Sequence, residues 1–157
     1  MSWADILAAI QASDLSQAIR FSQMRYAVVN TAHIFGIALL VGAILPMDLR
    51  LLGAYRRVSH VELARILVPV AALGLAIALI AGVGLFVVRA KEYGVHPLFQ
   101  AKIPLVLIGT LAALIFHARA GKWLMNATPR QARFHGALSL GVWVGALVLG
   151  RMIAYWR

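Results

Sequence analysis

Five histidines stand in a chain of 157 residues that has only 20 charged Lys, Arg, Asp and Glu side chains. An ionisable group inside a membrane-length apolar run is costly to keep, and it marks a functional site by default. His33 lies about nine residues into an uncharged run, roughly 13 Å deep at 1.5 Å per residue. His117 closes a later run and His135 opens the last one. His60 and His96 fall between runs. Topology sorts them into two groups, His33 and His96 near one face, and His60, His117 and His135 near the other. Neutral imidazole and Met thioether are the axial ligands of b-type haem. Two groups, one near each face, are what one or two haems need. The candidate ligands are His33, His117, His135 and His96, with Met152 placed to face His33. His33 and His117 are the leading metal ligands. They differ in depth by roughly 11 Å, so they are not expected to ligate one iron unless the first span starts well before Tyr26. Lys102 and Arg151, with Arg25 and Arg89, crowd the run ends on the His33 side, where haem propionates want cations.

Each histidine also has a plainer reading. His60 and His96 read as solvated loop residues. His135 reads as an interfacial histidine, His117 as a headgroup contact, and His33 as a helix–helix hydrogen-bonding group. Asp48 is the only acid near a run. It is followed by Arg50, and it reads as paired with Arg50 or another nearby cation. No Ser/His/Asp arrangement is visible, and the five Met residues are scattered, whereas a copper track would cluster them.

These groups need elements to position them. The chain is 62% hydrophobic and 13% charged, with a net charge of +10 and no Cys. A soluble domain carries about twice that share of charge. Without Cys there is no disulfide framework, thiolate zinc site, iron–sulfur cluster or covalent c-type haem. Four apolar runs predict transmembrane helices over about 24–47, 65–89, 101–118 and 134–155. The fold class expected is all-α, a transmembrane four-helix bundle in a single domain, 1–157. The basic residues collar the runs instead of forming one face, which excludes a nucleic-acid surface.

Trp3, Ile6, Leu7 and Ile10 recur at i, i+3, i+4 and i+7, predicting an interfacial amphipathic helix over 2–11. Asp14 and Gln17 have capping-box spacing and are expected to open the long first helix. No cleavable signal peptide is read. Gly74, Ala78 and Gly82, and separately Ala137, Gly141 and Gly145, form small-residue stripes. Such stripes let helix backbones approach closely in lipid. Gly109, Thr110 and Ala113 make a groove beside His117 that suits a porphyrin edge.

Four spans place both termini on one side, with Arg20, Arg25, Arg89, Lys91, Lys102, Arg151 and Arg157. The two loops on the other side hold eight basic residues: Arg50, Arg56, Arg57, Arg65, Arg119, Lys122, Arg130 and Arg133. Positive-inside counting puts those loops in the cytoplasm by a margin of one residue. The localisation expected is the bacterial inner membrane, multi-pass, with periplasmic termini.

The run His33-x-x-Gly36-x-x-Leu39-Leu40-Val41-Gly42, then Asp48-Leu49-Arg50-Leu51-Leu52-Gly53, carries a resemblance. With Phe99-x-x-Lys102, Phe116-His117 and Gly150-Arg151-x-Ile153-Ala154-Tyr155, it resembles a family of small bacterial four-span integral membrane proteins. That family brings no established activity with it. More distantly, a His in span 1 and a Lys opening span 3 are similar to the haem-binding membrane protoporphyrinogen oxidases and the CopD-type copper-resistance membrane proteins. The resemblance to the oxidases implies functional positions at His33 and Lys102. The spacing from Lys102 to His117 is about a turn longer than in that group, a departure that counts against the oxidase activity and leaves haem binding as what the resemblance implies.

The expected function is haem-b binding for electron transfer between a periplasmic or membrane donor and quinone. The alternatives are a non-redox transporter or metal-handling permease, with His33 and Asp48 on its path, and a structural anchor subunit. Expected partners are the lipid bilayer, quinone or a redox subunit, and a second copy of the chain.

Overall fold

The computed structural model describes residues 2–156, without the side chain of Lys122. Met1 and Arg157, counted above among the methionines and the collar cations, lie outside the described residues. Within them the chain is all-helical: α1 (Trp3–Gln11), α2 (Asp14–Arg20), α3 (Gln23–Leu52), α4 (His60–Val88), α5 (Ala90–Tyr93), α6 (Pro97–Ala120), a 3-10 turn (Lys122–Leu124) and α7 (Pro129–Met152). Helices α3, α4, α6 and α7 are each long and apolar enough to cross a membrane. The chain is therefore a multi-pass membrane protein built as a helical bundle.

Local chemistry sets the ends of the spans. Ser22, Ser59 and Thr128 accept backbone N–H groups as N-caps of α3, α4 and α7. His96 caps α6 in the same way, ahead of Pro97 in its first turn. These caps satisfy donors that a helix start leaves without partners. Gly53 ends α3 with φ of 111°, a conformation that side chains rarely adopt.

Helix α3 packs on both α4 and α7, and α6 packs on α7. The α3–α4 contact is backbone to backbone. A Cβ added at Gly36 would stand 2.8 Å from the Gly74 carbonyl oxygen, and one added at Gly74 would stand 2.8 Å from that of Gly36. The stripe of Gly74, Ala78 and Gly82 is thus a helix-packing surface, as expected. The stripe on α7 packs only in part: a Cβ at Gly145 would meet the Leu105 side chain of α6 at 3.3 Å, while nothing lies within 4 Å of one at Gly141. Closer approach falls at Gly136, against the backbone of Asp48 and the side chain of Leu51.

Helices α4 and α6 follow each other in the chain but do not pack along their lengths. They meet at the terminal end of the bundle through the stacked rings of Phe86 and Phe99, 5.3 Å apart. At the opposite end the 3-10 turn packs on both. A buried cluster of Met47, Leu51, Ala64, Phe116, Ala120 and Leu124 closes that end. The middle of the α4–α6 side is left parted.

The N-terminal segment corrects one expectation. Asp14 does not open the long helix: it starts the separate α2, capped by Ser13, and α3 begins at Gln23 after a break at Phe21–Ser22. Helix α1 follows the expected amphipathic pattern. Leu7, on its apolar stripe, is buried against Gly94, while Trp3 and Ile6 on the same stripe remain exposed. The Trp3 indole donates to the Gly94 carbonyl, and His96 contacts the Trp156 carbonyl, so both chain ends meet the same end of the bundle.

Candidate functional site

The polar groups divide into two places. At the terminal end, His33 on α3 sits half-buried against α4. Its Nδ1 donates to the Ala78 carbonyl oxygen at 2.8 Å. A carbonyl can only accept, so this bond places the proton on Nδ1 and leaves Nε2 with a lone pair. The ring rests over Gly82, where an added Cβ would meet its Cε1 at 3.1 Å. Asn30 and Gly36, three residues to either side of His33 on α3, give its ring neither a partner nor a gap: the bond goes to Ala78, and the α4 backbone fills the space at Gly36.

Lys102 lies close enough for its charge to act on His33. Its stem runs over Gly150, with Nζ 3.1 Å from where a Cβ would stand. Three other cations of this end have partners. Arg25 donates to the Ala18 carbonyl, Arg89 pairs with Glu92, and Arg151 donates to the Tyr155 hydroxyl at 2.6 Å. Met152 is 40% exposed at the end of α7. His96 is not simply solvated, because Nδ1 accepts from the Leu98 N–H while Nε2 bonds the Trp156 carbonyl. Beside this end Gln11, Arg20, Tyr26, Arg89 and Glu92 line a polar recess.

The second place is an apolar cavity of about 250 Å³ enclosed by α3, α4, α6 and α7. His117, His135, Asp48, Ser139 and Thr110 supply its polar lining. The Nδ1 of His117 donates to the Ala113 carbonyl at 2.8 Å, and its Nε2 is buried without a partner. His135 stacks on Phe116, ring centroids 4.1 Å apart and planes 15° from parallel. His60 sits at the start of α4, with Nε2 also buried and unpartnered. The groove residues Thr110 and Ala113 line the cavity, but the space at Gly109 is used by Trp143, which a Cβ there would meet at 3.0 Å.

Asp48 departs most from its sequence reading. It is 4% exposed, and the ion pairs among the described residues are Glu62 with Arg65 and Glu92 with Arg89, none at Asp48. Arg50 instead donates to the Val58 carbonyl. The Asp48 Oδ2 has no hydrogen-bond partner, and Ser139 is the polar neighbour of the carboxyl. The adjacent Arg50 misleads because the helix turns the two side chains to different faces.

His33 is not part of the cavity that His117, His135 and Asp48 line. One metal ion held by three or more His, Asp or Glu side chains has no site among the described residues. Compared with protein-family models, curated proteins and solved structures, the chain gives no match.

Proposed function

We propose that this is a b-type-haem-binding integral membrane protein that passes electrons between a periplasmic or membrane donor and quinone. The observation that carries the reading is the His33 ring, which lies inside an apolar span with its Nδ1 proton tied to the Ala78 carbonyl. Metal-ligating imidazoles make this kind of second bond, which fixes the tautomer and leaves Nε2 as the donor atom. The cradle at Gly82 gives the ring its room. Lys102, near His33 and without a hydrogen bond or ion pair among the described residues, is the propionate partner. His33 and Lys102 are also the two positions to which the distant resemblance points. A haem bound there supplies one-electron exchange. His33 would hold its iron, and Lys102 would neutralise a propionate.

The same reading places the chain in the bacterial inner membrane, with periplasmic termini and the arginine-rich loops in the cytoplasm. The test is a reduced-minus-oxidised spectrum of the detergent-purified protein from haem-replete cells. An α-band that His33→Ala removes is expected. A colourless wild-type preparation overturns the reading.

A second reading is favoured by one observation, the buried and unpaired Asp48. A carboxyl at such a depth also suits a non-redox transporter. Metal-ion uptake into proteoliposomes, lost in Asp48→Asn, would favour it.

A further inference from the structure

We propose that the cavity between α4 and α6 binds the ring of a membrane quinone or quinol, which enters sideways from the bilayer, with Asp48 as the hydrogen-bonding group for both forms and His117 as a further acceptor for the quinol. This deepens the electron-carrier reading by giving its quinone a place, and it rests on that reading only for the purpose of the binding.

The route comes from the packing. Helices α4 and α6 touch at Phe86–Phe99 and through the 3-10 turn, and between these points they do not pack. Ala72 on α4 and Ala113 and Leu114 on α6 line the cavity and are exposed. They form a mouth of mostly small side chains facing the lipid side of the bundle. A ligand using it never has to cross water.

The occupant follows from the lining. An acyl chain fits an apolar space but offers nothing to a buried carboxyl. Asp48 on α3 is 4% exposed with Oδ2 unpartnered, and the Nε2 of His117, which lines the same cavity from α6, is unpartnered too. A buried polar group without a partner is costly, so two in one small cavity call for a ligand with oxygens. A protonated Asp48 donates to a quinone carbonyl. The ionised form accepts from a quinol hydroxyl, as does the Nε2 lone pair of His117. Asp48 thus serves both forms of the ligand, and the neutral His117 ring the quinol alone. Phe116 and Trp143 supply aromatic wall for a flat ring. The volume of about 250 Å³ lies just under that of pockets for drug-sized molecules, which suits one ring with its tail left in the mouth.

The probe is a decyl-tailed dimethoxy-methyl-benzoquinone, with decylbenzene as the tail-matched molecule lacking oxygens. Bound quinone is counted by extraction after equilibrium dialysis in detergent, a readout independent of iron. Saturable binding near one per chain is expected, not displaced by decylbenzene. Asp48→Leu, Ala72→Phe and Ala113→Phe are each expected to weaken it at least about tenfold. The two alanines are exposed, so their variants test the mouth without disturbing the core. Equal competition by decylbenzene, or wild-type affinity in folded Asp48→Leu and in both mouth variants, overturns the proposal. Saturable binding in a protein with no α-band supports this site and retires the haem reading. An α-band without saturable quinone binding does the reverse.

Discussion

Gly36 and Gly74 face each other across the α3–α4 interface so closely that neither has room for a methyl group. A Cβ at Gly36 would stand 2.5 Å from the Ala78 backbone nitrogen, and one at Gly74 would stand 2.5 Å from that of Leu40. The obstacles are backbone atoms, which cannot rotate away. Gly36→Ala and Gly74→Ala are each expected to separate the helices and destabilise the bundle by about 1–3 kcal/mol. Gly42 on the same helix has nothing within 4 Å of its missing Cβ. Gly42→Ala is expected to be neutral or stabilising by up to about 1 kcal/mol. Thermal unfolding in detergent of the three variants checks this, and equal midpoints would contradict the contact.

The spans were legible because long uncharged runs admit few alternatives to a membrane helix. Their ends were less so. Helix α6 runs on through His117 and Arg119 to Ala120, and α7 starts at Pro129, ahead of Arg130 and Arg133. A hydropathy run stops at charges that a capped helix carries past the membrane edge. The two-helix N-terminal segment was misjudged because both Ser13 and Asp14 are good caps, and the break at Ser22 carries no Pro or Gly. The His33 position was readable from depth alone. The burial of Asp48 was not, because facing depends on which helices meet, and the parting of α4 from α6 leaves no mark in either sequence.

Asp48 should be a site where stability and function oppose each other. Its Oδ2 is buried without a partner. Replacing such a group with an apolar one of similar size removes the desolvation penalty without opening a cavity. Asp48→Leu is expected to raise stability by about 1–3 kcal/mol while weakening quinone binding at least about tenfold. Asp48→Ala, which leaves a void as well, is expected to gain less. A urea or thermal series on the three proteins decides it, and a destabilised Asp48→Leu would show that the carboxyl has a partner in the folded protein.

The docking of α1 is expected to depend on acid. Hydrogen bonds from the Ser2 backbone and hydroxyl hold the Asp5 carboxyl below its ordinary value of 3.8. A depressed value means that the contribution is fully present above the unfolded value and is lost as pH falls through the folded one. The capping box formed by Ser2 and Asp5 should therefore hold at neutral pH and fray below about pH 4. Trp3 reports the change, since its indole contacts the Gly94 carbonyl. Its fluorescence should shift on acidification in the wild type. In Asp5→Asn it should already be shifted at neutral pH and stay flat.

The tautomer of His33 gives the last prediction. With Nδ1–H bonded to Ala78, the neutral ring is the Nδ1-protonated form, the minor one for free histidine in water. Nitrogen-labelled His33 in the haem-free protein should show the protonated resonance at Nδ1 and the bare one at Nε2. Gly82→Ala puts a carbon at 3.1 Å from Cε1 and 3.4 Å from Nδ1, tighter than side chains normally tolerate. The ring must then tilt, and the bond to Ala78 lengthens or breaks. The expected result is a mixed tautomer population, and in haem-loaded protein a shifted or weakened α-band. Gly141→Ala, with open space around it, should leave both signals as they are. If His33 were only a strut between α3 and α4, Gly82→Ala would lower the unfolding temperature but leave the α-band where it was. A moved band together with a redistributed tautomer therefore separates ligation from packing.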